Sequence, residues 1–228
     1  MHGINDCLDS LLPRLFGYYA LQIGCLDQGM DMLAKSRINH RIHLGIVAGS
    51  VDLLASADYL PFKEDSLDLV LLLHTLDFAH DPHGILREID RILIPEGHVV
   101  IVGFNPMSLY GLWKVLPGQR HRVPWCGRFY SLSRLRDWLS LLGFDPLVSH
   151  CLGHKPPIQY SGLQQYLAIA EKVGHRMVPS LGALNVVLAQ KKEVTLTPIR
   201  PRWVPRRGLL AGNLAEPSTR EASRDLAH

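Results

Sequence analysis

The chain has 228 residues, of which 47% are hydrophobic and 20% are charged, a composition that supports a sizeable core and excludes global disorder. The formal net charge is +3. From Lys191 to the end there are eight Lys or Arg residues against four Asp or Glu, so the preceding part of the chain is close to neutral. A folded domain without a basic surplus is not typical of a dedicated nucleic-acid-binding protein.

The cysteines and the apolar segments indicate the cellular compartment of the protein. Its cysteines are far apart and form no CxxC pair, which predicts free thiols in a reducing compartment; they are Cys7, Cys25, Cys126 and Cys151. There is no run of ~18 apolar residues that could span a membrane. The apolar stretch at residues 11–23 is broken by Pro13 and Arg14, so it is not a secretory signal. We therefore expect a cytoplasmic protein without membrane contact.

Apolar periodicity predicts alternating strands and helices along the chain. In chain order the predictions are helix 6–16, strand 19–23, helix 26–37, strands 42–47, 51–54 and 67–73, helix 83–93, strand 99–104, helix 131–142, strand 147–151, helix 162–173 and strand 184–190. Residues 67–73 are almost all Leu or Val, as in a central parallel strand covered on both faces. Pro95-Glu96-Gly97 is predicted to form the turn that completes a βαβ unit. Ser131 is placed to cap the helix after it, and Gly143 to end that helix.

The composition changes after Lys192. Residues 193–228 are rich in Pro, Arg, Ser and Glu with little periodicity, which predicts a basic, disordered tail after a domain of residues 1–192. Some tail residues alternate basic and aromatic side chains, namely Arg200, Arg202, Trp203, Arg206 and Arg207. That pattern suits contact with RNA or an acidic partner, and the alternative is a solubilising end. An RNA contact would predict salt-sensitive RNA binding that is lost on truncation after Lys192.

Short motifs in the middle of the chain follow one another in a defined order. They are Leu60-Pro61-Phe62, Asp65-Ser66-Leu67-Asp68-Leu69-Val70, Asp81-Pro82, Leu86-Arg87-Glu88 and Arg91-Ile92-Leu93-Ile94-Pro95-Glu96-Gly97-His98. In order and spacing they resemble the class I S-adenosylmethionine-dependent methyltransferase family (methyltransferase type 11 domain), which reads LPF, D-x-S-F-D-x-V, DP, L-x-E and R-x-L-x-P-G-G there. The resemblance implies an α/β, Rossmann-like fold: a mostly parallel central sheet with helices on both faces.

The resemblance also implies S-adenosyl-L-methionine as the cofactor, bound at the carboxyl ends of the strands. Carried over position by position, the cofactor-binding residues are Gly24, Cys25, Asp27, Ala57, Asp58, Leu60 and His74. His74 ends the fourth strand, where the family's chain faces the methyl donor and the substrate. The alternative is a buried or rim histidine that takes no part in the chemistry.

The glycine-rich loop departs from the family's pattern V-L-E-I-G-C-G-T-G. Residues 20–28 read Ala-Leu-Gln-Ile-Gly-Cys-Leu-Asp-Gln. The first glycine is kept as Gly24, but Leu26 and Gln28 replace the second and third, which let the backbone approach the ligand. A side chain at Leu26 would crowd the methionine part of the cofactor. Gln22 replaces the family's acid before the loop.

Two acidic contacts to the cofactor are also missing. The family places an acid about twenty residues after the loop to bind the ribose, but no acidic residue lies between Arg41 and Val51. Losing such a charged hydrogen bond costs about 1.5–3 kcal/mol. Asp27 and Asp31 could supply the contact, or they could lie in the first turn of a helix. Ser56 replaces the acid that meets the adenine amine, and Asp58 is placed to substitute for it.

Three further features could carry a metal site, a catalytic motif or a binding loop. His80 and His83 flank Asp81, but no HExxH spacing or third ligand supports a metal site, so none is expected. Asn105-Pro106 lacks the second proline and the aromatic residue of an NPPY motif. Residues 105–130 form a long stretch that is either a binding loop or a cap packed on the core by its aromatics, which are Tyr110, Trp113, Trp125 and Tyr130.

The sequence thus predicts an S-adenosylmethionine-dependent methyltransferase that acts on an unidentified small-molecule acceptor. No catalytic residue is predicted, because methyl transfer chiefly requires alignment of donor and nucleophile. The alternative is a methyltransferase-fold protein that has lost productive cofactor binding and serves as a binding or regulatory module, with RNA association through its basic tail as one form.

Overall fold

The computed structural model describes residues 2–24, 31–45, 52–108, 111, 114, 125–152 and 182–192. Its strands are β1 (Tyr19–Ile23), β2 (His40–Gly45), β3 (Leu53–Leu54), β4 (Leu67–Leu73), β5 (Leu93–Phe104), β6 (Phe144–Leu152) and β7 (Leu184–Lys191). Its helices are α1 (His2–Leu11), the 3₁₀ turn Leu12–Arg14, α2 (Thr75–Phe78), α3 (Pro82–Ile92) and α4 (Leu132–Leu141).

The strands form a seven-stranded sheet in the order β3-β2-β1-β4-β5-β7-β6. Strands β1 to β5 run parallel to one another. Strand β7 runs antiparallel to both β5 and β6. The chain leaves β1 towards β2 on one side and later returns to β4 on the other. Such a switch point opens a crevice at the carboxyl ends of the strands, where α/β sheets bind ligands.

Two apolar layers cover the two faces of the sheet. Along β4, Val70 and Leu72 face the layer that contains α3 and α4, whereas Leu71 and Leu73 face the layer that contains α1. All four are at most 3% exposed. Alternate side chains of one strand are therefore buried on opposite faces. The predicted α/β fold, with a mostly parallel sheet and helices on both faces, is confirmed.

Several predicted elements are confirmed with their boundaries, and others shift. The strands predicted at 19–23 and 67–73 have the same bounds in the structure. The opening helix runs over His2–Leu11 rather than 6–16, because Pro13 lies in the 3₁₀ turn that follows. Proline lacks the amide donor that a continuing helix needs.

The helix predicted at 26–37 is wrong in its described half, since residues 31–37 form turns. The amide of Met32 donates to the side chain of Gln22 at 3.0 Å, and the amide of Leu33 donates to the side chain of Asp31 at 2.9 Å. These two backbone amides thus donate to side-chain oxygens and not to the backbone carbonyls that would accept them in a helix.

Pro95-Glu96-Gly97 is also not the turn that was predicted. β5 begins at Leu93, and Glu96 adopts a positive φ of 62° inside that strand. The pairing with β4 slips at this point, from Leu67 opposite Leu93 to Leu69 opposite His98. The motif therefore forms a bulge within the strand.

The caps of α4 agree with the sequence. The Ser131 hydroxyl accepts a hydrogen bond from the amide of Arg134 at 3.3 Å, and Gly143 follows with a φ of 86°. The predicted helix 162–173 and the tail 193–228 lie outside the described residues. Among the helices that are described, none is long and apolar enough to cross a membrane.

Candidate functional site

The first feature of the site is a close approach between the ends of β1 and β4. Gly24 follows β1 with a φ of 82°. A Cβ atom on it would lie 2.3 Å from the carbonyl oxygen of Leu73 and 2.9 Å from Oγ1 of Thr75. The Thr75 hydroxyl donates to the carbonyl of Ile23 at 3.0 Å and ties the two ends together. The glycine that the resemblance singled out thus occupies a position that requires glycine.

The rest of the glycine-rich loop, residues 25–30, lies outside the described residues, and with it the predicted contacts Cys25 and Asp27. The acid that the family has before the loop is Gln22 here. Its side chain is 3% exposed and accepts the amide of Met32. Gln22 therefore anchors the chain where the described part resumes after the loop.

His74 directly follows β4 at the same edge. It has a left-handed backbone, with a φ of 53° and a ψ of 13°, and only 3% of the residue is exposed. Its Nδ1 atom lies 2.8 Å from Oδ2 of Asp77, and its ring centroid lies 4.1 Å from that of Phe104. A predicted site residue is therefore held on two sides, by a carboxylate and by an aromatic ring.

Asp77 is a polar group of this site that the sequence did not reveal. It is 2% exposed, and its Oδ2 lies 2.8 Å from Nδ1 of His74 and accepts the amide of Phe104 at 3.0 Å. Burial raises the pKa of Asp77, and the hydrogen bond from His74 opposes that rise. An H-x-x-D spacing directly after a buried strand could have indicated the pair, because one turn of helix brings the two side chains together.

Residues from the predicted loop 105–130 pack over this pair. The amide of Arg128 donates to the carbonyl of Asp77 at 2.5 Å. The Phe129 ring lies 4.9 Å from that of Phe104, and the Lys114 ammonium lies 4.6 Å from the Phe129 ring. Described residues of this segment thus cover the carboxyl ends of β4 and β5.

The aromatic residues that were predicted for this segment fall into two groups. Tyr130 is 9% exposed, and its ring lies 4.9 Å from that of Trp138 on α4. It therefore packs on the core, as the cap alternative expects. Trp125 is partly buried, so it also belongs to the packed group, whereas Tyr110 and Trp113 lie outside the described residues.

The adenine side of the predicted site is held by an ion pair on α3. Glu88 accepts the amide of Leu60 at 3.0 Å and the Nε of Arg91 at 2.9 Å. Arg91 also donates to the carbonyls of Phe62 at 3.0 Å and Leu60 at 3.2 Å. The hydrogen bond from Arg91 lowers the pKa of Glu88. The L-x-E and R-x-L motifs thus fix both ends of the Leu-Pro-Phe turn.

Three of the predicted cofactor-binding residues, Ala57, Asp58 and Leu60, lie in or beside this segment. Ala57 is 7% exposed and Leu60 is 5% exposed. Asp58 is exposed, and its Oδ2 lies 3.2 Å from the hydroxyl of Ser56. The predicted substitute for the missing acid therefore stands next to the residue that replaced it. An open cleft of about 560 Å³ between Asp58 and α3 is lined by neither Gly24 nor His74.

Two acids, Asp31 and Asp52, lie beside His43 on β2. Its Nδ1 lies 2.9 Å from Oδ2 of Asp52, and its Nε2 lies 3.2 Å from Oδ1 of Asp31. Arg41 also pairs with Asp31 at 3.1 Å. A hydrogen bond from the backbone amide of His43 lowers the pKa of Asp52. Asp31 is not part of a helix, and it pairs with Arg41 beside β2. Its contact with the ribose stays a prediction.

The histidines around Asp81 have structural contacts. Asp81 caps α3 by accepting the amide of His83 at 3.1 Å. The His83 ring lies 4.2 Å from that of Trp138. Within the described ranges, no group of three or more His, Cys, Asp or Glu side chains is placed to hold a metal ion.

The sequence of this chain is similar to a known family and to several known proteins. A family model described as a methyltransferase domain matches residues 7–101. The uncharacterized protein YafS of Escherichia coli strain K12 is 35% identical over 190 residues, which are 83% of this chain and 75% of YafS. The ubiquinone/menaquinone biosynthesis C-methyltransferase UbiE of Xanthomonas campestris pv. campestris is 28% identical over 123 residues, which are 50% of this chain and 47% of UbiE.

Solved structures agree in fold at low sequence identity. A Thermotoga maritima protein described as an S-adenosylmethionine-dependent methyltransferase, possible histamine N-methyltransferase, has a TM-score of 0.60 at 22% identity, covering 81% of this chain and 87% of that one. The [4+2]-cyclase SpnF has a TM-score of 0.55 at 17% identity, covering 83% and 80% of the two chains. The family model, together with the 35% identity to YafS over 75% of that protein, shows that the chain belongs to the class I S-adenosylmethionine-dependent methyltransferases, and the solved structures agree in fold.

Proposed function

We propose that this protein is a cytoplasmic enzyme that transfers the methyl group of S-adenosylmethionine to a small-molecule acceptor. The observation that carries the proposal is the approach of Gly24 to Leu73, because a positive φ and a missing Cβ are kept where the family turns its backbone towards the cofactor. S-adenosylmethionine supplies an electrophilic methyl group when it is bound.

The residues of the carboxyl edge fit parts of this cofactor. Gly24 leads the chain into the loop that would approach the methionine part, and His74 stands beside it at the end of β4. Ala57 and Leu60 offer apolar surface for adenine in a turn that Glu88 holds in place, with Asp58 next to it. Cys25 and Asp27 complete the proposed contacts from the loop.

Isothermal titration with S-adenosylmethionine and, separately, with S-adenosylhomocysteine tests the proposal. We expect micromolar binding of both ligands by the wild type and weaker binding by Gly24→Arg. Gly3→Arg is the matched control, because a side chain at position 3 meets no atom within 4 Å. If millimolar ligand produces neither heat of binding nor a thermal shift, the proposal is wrong.

A second candidate function is a binding or regulatory module that no longer uses the cofactor productively. The observation that favours it is the engagement of Asp31 and Asp52 by His43, which leaves the ribose without an evident acidic partner among the described residues. RNA association through Arg200, Arg202, Arg206 and Arg207 would be one form of this role. It predicts RNA binding that weakens with salt and is lost when these four arginines are replaced by serine in the full chain.

A further inference from the structure

The pair formed by His74 and Asp77 stands at the edge where the proposed reaction takes place. His74 follows Leu73, and the carbonyl oxygen of Leu73 is the atom that Gly24 approaches most closely. The pair is therefore next to the turn that leads into the cofactor loop. Its side chains are only 4% and 1% exposed, so bulk water has little access to them.

The hydrogen bonds of the pair indicate which ring nitrogen of His74 carries the hydrogen. Oδ2 of Asp77 accepts the amide of Phe104 at 3.0 Å and faces Nδ1 of His74 at 2.8 Å. A carboxylate that already accepts an amide is suited to accept a second donor, so Nδ1 carries the hydrogen. In a neutral imidazole the other nitrogen, Nε2, then holds the free electron pair.

The backbone of His74 supports a role for this orientation. A histidine in the left-handed region is uncommon, and its backbone is unfavourable unless neighbouring contacts compensate. Here the amide of His74 continues the sheet by donating to Val102 at 2.8 Å, while the ring is held by Asp77 and Phe104. The surrounding contacts thus hold the imidazole at the edge of the sheet despite the unfavourable backbone.

We propose that Nε2 of His74 is the general base that takes the proton from a hydroxyl group of the methyl acceptor, and that Asp77 is the positioning residue that orients this histidine. The proposal rests on the proposed methyltransferase function. A hydroxyl group is protonated at neutral pH and is a poor nucleophile, so its methylation benefits from a base, whereas a neutral amine can attack without one.

The step balances in atoms and charge. The acceptor oxygen forms a bond to the methyl carbon, the carbon–sulfur bond breaks with its electron pair going to sulfur, and the acceptor proton moves to Nε2 of His74. The products are the methyl ether and S-adenosylhomocysteine. The Asp77 carboxylate stabilises the resulting imidazolium, which returns its proton to solvent after the products have left.

Burial and the neighbouring charged groups shift the pKa of Asp77 in opposite directions. Burial raises the pKa of Asp77, while His74 and the ammonium of Lys114 both lower it. Among the described residues, these are the charged partners of the Asp77 carboxylate.

The test is nitrogen-15 NMR of labelled histidines in the full-length protein, which distinguishes a ring nitrogen that carries hydrogen from one that does not. We expect the His74 signals of a neutral ring with hydrogen on Nδ1, and a weaker preference for that tautomer in Asp77→Asn. Asp77→Glu should restore part of the preference. His98, whose pKa is lowered by burial in β5, is the control signal and should be the same in all variants.

The ligand arm separates this proposal from the proposed function. S-adenosylhomocysteine is added to the same samples, with heat of binding measured in parallel, and we expect the Nε2 signal of His74 to shift while that of His98 does not. If the ligand binds and His74 does not respond, or if the hydrogen lies on Nε2, the base assignment is wrong and the methyltransferase proposal stands. If no ligand binds, both fail.

A folding defect in Asp77→Asn does not remove the test, because Gly103→Ala gives a milder disturbance. The added Cβ would lie 3.2 Å from Oδ1 of Asp77, so the carboxylate must shift by a few tenths of an ångström. We expect a measurable change in the nitrogen-15 chemical shifts of the His74 ring in this variant. Unchanged His74 signals in a folded Gly103→Ala protein would contradict the coupling.

Discussion

A Cβ atom on Gly24 would lie 2.3 Å from the carbonyl oxygen of Leu73, so the carboxyl ends of β1 and β4 meet in a contact that only glycine permits. The contact is between backbones, and it cannot be relieved by moving a flexible side chain. It brings the start of the cofactor loop next to His74, and the arrangement of the candidate site depends on it.

Gly24→Ala should therefore reduce both stability and ligand binding. The positive φ alone costs about 1–2 kcal/mol for a residue with a side chain, and the clash with Leu73 adds to it. Thermal unfolding should show a clear fall in Tm. Gly3→Ala is the control, since it lies in α1 with no atom within 4 Å of its added Cβ, and we expect it to be neutral or slightly stabilising. Equal Tm values for the two variants would refute the strain argument.

Thr75→Val should loosen the same junction without adding a clash. The substitution removes the hydroxyl that donates to Ile23 at 3.0 Å and keeps the shape of the side chain. A lost hydrogen bond of this kind costs about 0.5–1.5 kcal/mol, and binding of S-adenosylhomocysteine should weaken with it. Thr75→Ser keeps the hydroxyl and should behave like the wild type in chemical denaturation and in calorimetry. A Thr75→Val protein with wild-type stability and affinity would show that the hydrogen bond does not support the site.

Long apolar runs made the sheet predictable. Residues 67–73 are buried on both faces, so their pattern does not depend on distant parts of the chain, and the strand was predicted with its bounds. Motif order between Leu60 and His98 then indicated the family, which the comparisons confirm. The predicted contacts to the cofactor remain predictions, because no ligand tests them.

What sequence reasoning missed depends on contacts between distant residues. Asp77 lies in a short helix, and its role follows from the amide of Phe104, which is far along the chain. The described half of the helix predicted at 26–37 was wrong because Gln22 takes the amide of Met32. Propensity and periodicity cannot show that a side chain from one strand will satisfy a backbone donor in a later segment.

Glu88→Gln should destabilise the Leu-Pro-Phe turn in a pH-dependent way. The pKa of Glu88 is lowered by Arg91 from an ordinary value of 4.5, so the folded state binds its proton less tightly than the unfolded state does. The stabilisation is therefore present above about pH 4.5 and is lost as the pH falls through the folded pKa.

The measurement is the free energy of unfolding of wild type and Glu88→Gln at neutral pH and near pH 3. We expect a difference of about 1 kcal/mol at neutral pH, allowing for partial exposure, and little difference in acid. Arg87→Gln on the same helix is the control, because Arg87 is 66% exposed and lies 3.6 Å from Asp81. A difference that does not change with pH would mean that the charge of Glu88 is not what holds the turn.

Leu26→Gly should strengthen cofactor binding. This expectation comes from the family pattern, in which the second glycine of the loop stands where Leu26 stands here. Removing a side chain that crowds the methionine part should raise the affinity for S-adenosylmethionine several-fold, a change that calorimetry resolves. Leu141→Gly is the matched control, since Leu141 is 84% exposed at the end of α4 and its loss should leave affinity unchanged. Weaker binding by Leu26→Gly would show instead that this chain uses Leu26 as a contact. The departure from the family's loop would then be a different way of holding the cofactor and not a loss of it.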